Sequence, residues 1–325
     1  MQQSTFIAVA DLLAFRFAFM KDSPAESNDN FAPHVALLAV QLMFGSAPIL
    51  GKFALTAFPS SAIVGFRVGG AALAFFLLQR FRGNLHLEKR RHYFQFAMLS
   101  LFGVVLNQLL FFKGLSLTTA TNTSLLAVMI PVFAILVSAA IGNDKLTWIK
   151  VFGVILACAG VIYLIDPTKA SFSSETTQGD VLIILNCFSY ATYIAVSKRI
   201  INHYGALKSI AWIFLFGSIV NVPFGFVSLS TVDLTAVVWQ SWLALAAIVT
   251  FPTILAYYWN TWALARVEPS VVAVYIYLQP LIGTLLAIFV LGEAWKPRIF
   301  LAMALIFTGV FLVTRTRQRE FISKI

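Results

Sequence analysis

The sequence predicts an all-α integral membrane protein, ten transmembrane helices arranged as two inverted five-helix repeats. Three observations carry that expectation. The chain of 325 residues is 60% hydrophobic and only 11% charged, with a mean hydropathy of +0.87, more apolar surface than one soluble core can hide. Its apolar runs are about 20 residues long, the length a helix needs to cross roughly 30 Å of hydrocarbon and too long for barrel strands. One stretch also occurs twice. Lys113 to Leu164, an apolar span, a charged turn and a second span, lies without a gap on Trp262 to Val313 when moved forward by 149 positions. Pro131 then meets Pro280 (280 − 131 = 149), Asp144 meets Glu293, and Gly160-Val161 meets Gly309-Val310.

Taken in order, the first stretch stands apart. Phe6 to Phe19 is apolar but carries Asp11 and Arg16 and is too short to span. It reads either as an interfacial helix or as sequence ahead of a translation start at Met20. The polar run Lys21 to Asn30 reads as a cytoplasmic tail. Residues 1–32 are thus an N-terminal cytoplasmic or interfacial segment, 33–165 a first repeat, 166–178 an extracellular loop, 179–314 a second repeat and 315–325 a basic cytoplasmic tail.

Span 1 is expected over His34 to Ala57, span 2 over Ser60 to Leu78, span 3 over His92 to Phe112, span 4 over Thr119 to Ile141 and span 5 over Trp148 to Ile165. Span 6 follows over Gly179 to Ile201, span 7 over Leu207 to Leu229, span 8 over Val238 to Ala265, span 9 over Ser270 to Leu291 and span 10 over Pro297 to Thr314. Five spans per half is an odd number, so the second half enters the membrane from the opposite side. That is the inverted repeat on which many secondary transporters are built.

Orientation follows from the basic residues. Arg80, Arg82, Lys89, Arg90, Arg91, Lys145, Lys150, Lys198, Arg199, Lys208, Arg266, Arg315, Arg317, Arg319 and Lys324 fall on one set of loops and the C-terminal tail, and only Lys113, Lys169, Lys296 and Arg298 on the other. The richer side faces the cytoplasm, which puts both termini inside the cell (plasma or inner) membrane. This also accounts for the net charge of +10 without a nucleic-acid partner, since no soluble domain is present to carry a binding face. Cys158 and Cys187 lie within spans and make neither a disulfide framework nor a metal motif.

Ionisable groups inside spans are costly, about 2.5–3.5 kcal/mol near the centre, and so are functional candidates. Arg67 lies seven residues into span 2 and Lys52 in the last third of span 1. Arg67 either hydrogen-bonds freed carbonyls or meets an anionic group of a solute; Lys52 does the same or snorkels to the surface. No Asp, Glu or His falls near the middle of any span, which disfavours cation-proton antiport and suits an anionic or zwitterionic solute. Amides and aromatics complete the candidate solute-binding set: Asn107, Gln108, Asn122, Tyr257, Trp259, Asn260, Tyr275 and Gln279. Each can line a wet cavity or join helices together. Pro48, Pro131, Pro252 and Pro280 interrupt spans as hinges or kinks and free the carbonyls of Phe44, Ala127, Ile248 and Ile276. Gly153, Ala157 and Gly160 form a small-residue stripe on span 5, a packing face and a candidate homodimer face.

Several of these residues together resemble the drug/metabolite transporter superfamily, specifically EamA-type transporters. They are Gly45-Ser46 followed by Lys52, then Arg67, Gly114-Leu115, Thr119-Ala120-Thr121 and Ile130-Pro131-Val132, with Gly160-Val161 echoed in Gly309-Val310 and the acidic turn in Gly292-Glu293. The likeness covers about Val35 to Arg315; Phe44 stands where such proteins often carry Trp, and Asp144 where Glu is usual. The resemblance implies two EamA repeats around a central cavity that opens alternately to each side, and transport of amino acids and other metabolites, often outward.

The expected function is therefore alternating-access transport of a small polar metabolite, an amino acid or related anion or zwitterion, in the efflux direction, with the lipid bilayer as its surroundings. An organic-anion or nucleotide-sugar type exchanger is the alternative, since Lys52 and Arg67 would fit phosphate as readily as carboxylate. A membrane-embedded enzyme would need paired carboxylates, a His cluster or an activated nucleophile, and the sequence offers none of these, nor a cofactor motif.

Overall fold

The computed structural model describes residues 31–142, 147–165, 174–267, 272, 275–276, 278–294 and 297–322. The segment before Phe31, the Asp144 turn, the loop over 166–173, Lys296 and the last three residues of the tail lie outside them. Contacts gather 33–325 into one unit, and the helix bundle is built within it. The described residues are predominantly helical and include no strand.

The helices are α1 (Phe31–Leu55), α2 (Ser60–Arg82), α3 (Arg90–Leu117), α4 (Ala120–Ala140), α5 (Trp148–Ile165), α6 (Glu175–Tyr204), α7 (Ala206–Leu229), α8 (Trp239–Leu264), α9 (Leu278–Leu291) and α10 (Pro297–Ile322). Seven of them, α1 to α4 and α6 to α8, are long and apolar enough to cross a membrane. The other three contain shorter apolar stretches, Val151–Gly160, Leu278–Leu291 and Ile299–Gly309.

Local chemistry sets several helix ends. The Thr119 hydroxyl accepts from the Asn122 N–H at 3.0 Å and starts α4. Ser174 does the same for the Thr177 N–H, so α6 begins at Glu175, four residues ahead of the expected Gly179. Gly205, at φ +80°, turns the chain from α6 into α7 within one residue, a conformation glycine adopts without penalty. α10 continues past the expected end at Thr314 to Ile322, because neither Gly nor Pro follows Gly309 to stop it.

The helices are irregular at matching places. α3 holds a π-helical segment at Leu101–Leu106 and α8 one at Thr250–Leu255. These start 149 residues apart (250 − 101 = 149), the offset of the sequence repeat. In α4 the helix breaks between Leu126 and Met129, ahead of Pro131. The Ala127 carbonyl that Pro131 leaves free accepts instead from the Ile130 N–H at 3.1 Å. Pro223, inside α7, is a further helix-interior proline beside the four expected from sequence.

Small residues bring the helices together. A Cβ on Gly65 of α2 would sit 3.0 Å from the Gly225 Cα of α7, and the Ser61 and Ser228 hydroxyls hydrogen-bond one turn away. Rising numbers on α2 meet falling numbers on α7, so these two run antiparallel. α1 and α9 run parallel, joined by Gln41 to Gln279 (2.6 Å) and Gly45 against Ile282, with His34 of α1 bonded to Tyr275, ahead of α9, at 2.9 Å. α4 and α6 make the corresponding parallel pair through Asn122 with Asp180 and the Leu126 carbonyl with Cys187. α5 packs on α10, where Gly160 faces Ala302 and Ile306. At that position the small-residue stripe serves a contact within the chain.

Candidate functional site

Within the bundle, α1, α2, α3, α4, α6, α8 and α9 line a partly open cavity with about 530 Å³ of unfilled space. That is well above the minimum needed to hold a water and leaves room for a few waters or one small polar solute. The cavity is lined by the Arg67 guanidinium, the amides of Asn107, Gln108, Asn186 and Gln279, the phenols of Tyr190 and Tyr257, and apolar groups that include Phe44 and Phe111. Among the described residues no carboxylate lines it.

Arg67 is only 3% exposed and is held from one side. Its Nε–H donates to the Thr253 Oγ1 at 2.7 Å and an Nη2–H to the Pro252 carbonyl at 3.3 Å; the guanidinium carbon stands 4.9 Å over the Phe112 ring. The Thr253 hydroxyl in turn donates to the Ile248 carbonyl at 2.7 Å, the group that Pro252 leaves without a helix partner. The proline, the π segment and the arginine thus form one device: an opened helix supplies the oxygens that fix a buried cation. Two of the five guanidinium N–H bonds are used in this way, and the other three have no acceptor among the described residues.

The cavity's amides are joined across the two halves. Gln108 Nε2 donates to the Tyr257 hydroxyl at 2.7 Å, which donates to Asn107 Oδ1 at 3.0 Å. Asn186 Nδ2 donates to the Asn107 carbonyl at 2.7 Å. Gln108 and Tyr257 are equivalent positions of the repeat (257 − 108 = 149), so their contact puts the cavity where the halves meet.

Of the residues proposed from sequence, Arg67, Asn107, Gln108, Tyr257 and Gln279 come together here. Asn260 stands behind them, donating to the Tyr190 hydroxyl at 3.3 Å. Trp259 is half-buried and outside the lining, and Tyr275 sits at the start of the α1–α9 seam on His34. Lys52 and Asn122 belong to a different cluster at the α4 N-terminus. There Lys52 donates to the Thr118 carbonyl at 2.6 Å, the Thr118 hydroxyl donates to Asp180, and Asn122 Nδ2 donates to both Asp180 oxygens at 3.0 and 3.2 Å. Glu293 accepts from the Ala120 and Thr121 N–H groups at 2.9 and 3.2 Å, where the helix dipole favours a carboxylate. Pro252 frees the Ile248 carbonyl that holds the Thr253 hydroxyl under Arg67, while Phe44 and Ala127, the residues whose carbonyls Pro48 and Pro131 leave free, line the cavity.

Asn186, Tyr190 and Thr253 join the site without having been named from sequence. Asn186 and Tyr190 carried the same signal as Asn107, a polar group mid-span with a partner one turn on. Thr253 carried none, because its part depends on a carbonyl freed by a proline and on an arginine 186 residues away.

Known proteins agree with this architecture. A solved crystal structure 19% identical in sequence superposes with a TM-score of 0.63 over 87% of this chain and 98% of its own, a likeness of fold. An uncharacterized transporter of Archaeoglobus fulgidus is 34% identical over 230 residues, 69% of this chain and 76% of the relative. The uncharacterized transporter YyaM of Bacillus subtilis is 23% identical over 85% of this chain and 92% of its own, and the protein WALLS ARE THIN 1 of Arabidopsis thaliana is 23% identical over 89% and 84%. The profile of the EamA-like transporter family matches twice, over residues 32–165 and 177–315. Two family units, one for each half of a helical membrane protein that closes on a shared polar cavity, place this chain in the EamA-like transporter family.

Proposed function

We propose that the protein carries a small anionic or zwitterionic metabolite of the amino-acid class across the cell membrane by alternating access, with export as its direction. The observation that supports this most is the cavity itself: one buried guanidinium with three N–H bonds uncommitted among the described residues, amide and phenol groups around it, and no carboxylate among the described residues of the lining. A buried cation without a protein counter-charge is costly, and a carboxylate on the solute would complete it. One guanidinium matches one carboxylate. Lys52 is absent from the lining, which counts against the nucleotide-sugar or phosphate exchanger, whose diphosphate asks for more than one cation.

The reading includes ten spans in two inverted repeats. It is supported by the odd number of helices in each half, the antiparallel α2–α7 pair, the parallel α1–α9 and α4–α6 pairs, and π segments 149 residues apart. Alternating access would then be an exchange between two related arrangements of the seams flanking the cavity.

The test is transport in liposomes loaded with a pool of amino acids and organic anions, followed by assays on single solutes for the wild type and Arg67→Gln. Uptake of small carboxylates that fails in a folded Arg67→Gln protein supports the proposal. An Arg67→Gln variant with normal solute affinity and normal stability would overturn it.

A further inference from the structure

A second recess, open to solvent, lies at the end of the bundle where α1 and α3 finish and α2 begins. Its polar lining consists of two ammonium groups, Lys52 and Lys113, and the residues Thr56, Ser60 and Ser116. Among the described residues no Asp or Glu lines it. Lys113 is exposed and its ammonium group has no hydrogen-bond or ion-pair partner among the described residues. Lys52 commits one of its three N–H bonds to the Thr118 carbonyl. Glu293 attracts Lys52 electrostatically but spends its two oxygens on the first N–H groups of α4.

We infer that this recess is an anion-binding site, distinct from the Arg67 cavity, that takes a carboxylate or phosphate group between Lys52 and Lys113. Two lysines on one recess, only one of them offset by Glu293, set up a positive potential that attracts an anion. The site also has a route to the transport machinery. Lys52 holds the Thr118 carbonyl, and the Thr118 hydroxyl holds Asp180, which ties α6 to α4. An anion that draws the Lys52 ammonium into the recess releases Thr118 and loosens the short connection between α3 and α4. α4 supplies Ala127 and Ile130 to the central cavity, so capture in the recess and opening of the cavity become linked events. This link rests on the proposed transport of an anion; the binding itself does not.

The anionic group can belong to a free solute or to a lipid headgroup, and the experiment separates the two. The protein is placed in phosphatidylcholine nanodiscs, and its melting temperature is followed as inorganic phosphate replaces chloride at constant ionic strength. A saturable rise is expected for the wild type and for Arg67→Gln alike. Lys113→Gln should melt at the wild-type temperature without phosphate and need roughly 5–10-fold more phosphate for half the effect, as expected on losing one partly exposed charged contact. Repeating the titration in discs with one-third phosphatidylglycerol assigns the occupant: a response already saturated there marks a headgroup site, and an unchanged response marks a free anion. Absence of a saturable response in phosphatidylcholine, or a Lys113→Gln titration that superposes on the wild type, overturns the inference. A response lost in Arg67→Gln but kept in Lys113→Gln would also overturn it, while leaving the transport proposal intact.

Discussion

Replacing Thr253 by valine removes a hydroxyl and almost no volume, so it tests the support of Arg67 without opening a cavity. The hydroxyl has two tasks: it accepts from Arg67 Nε at 2.7 Å and donates to the Ile248 carbonyl at 2.7 Å. Losing a hydrogen bond to a charged group costs about 1.5–3 kcal/mol. Losing a neutral bond within a membrane protein costs about 0.6 kcal/mol on average. Together they put Thr253→Val at roughly 2–4 kcal/mol less stable, since Thr253 is fully buried and water does not replace the lost oxygen. Arg67 would keep only the 3.3 Å contact to the Pro252 carbonyl and the Phe112 ring, so its aim into the cavity should loosen as well. Unfolding of the purified protein in mixed micelles gives the stability, and binding of the solute identified in liposomes gives the aim. Thr253→Ser keeps the hydroxyl and should stay near wild type in both. In the double variant with Arg67→Gln the charged bond is already gone, so the two losses should fall short of additivity by about 1.5–3 kcal/mol. Wild-type stability for Thr253→Val, or full additivity with Arg67→Gln, would refute the argument that Thr253 fixes Arg67.

Three further outcomes are expected from other contacts. Gly179→Ala should lower the melting temperature well below that of Gly69→Ala: the new Cβ at 179 meets the Gly114 carbonyl and the Thr118 nitrogen, each at 2.8 Å, whereas at 69 it meets the end of the Val222 side chain at 3.0 Å. Equal melting temperatures would mean that α3 and α6 yield easily. Glu293→Gln weakens the anionic cap on the Ala120 and Thr121 N–H groups and should cost about 1 kcal/mol, read as a lowered unfolding midpoint; an unchanged midpoint would show the cap to be idle. Single cysteines placed in 166–178 should react with an impermeant thiol reagent on intact cells, and those in 79–91 should not, by the bias of basic residues; the opposite pattern inverts the proposed orientation.

Much of this protein is written in one dimension. Hydropathy alone determined that the chain is a bundle of membrane-spanning helices, because burial in lipid depends on runs of apolar residues and little else. The 149-residue offset was legible because prolines, glycines and acidic turns punctuate both halves at the same places, and the π segments in α3 and α8 keep that offset. Arg67 stood out because a charge inside a span is expensive wherever it points. What it touches was not legible. Lys52 and Arg67 gave the same signal along the chain, yet one reaches the Thr118 carbonyl at the bundle's end and the other lines the central cavity. Asn122 and Asn107 parted in the same way. Hydropathy records how deep a residue lies, but the rotation of each helix about its own axis decides which side chains share a cavity. That rotation is set by contacts between distant residues, Gly65 on Gly225 and Gly160 on Ala302, where the absence of a side chain lets two backbones meet in only one register.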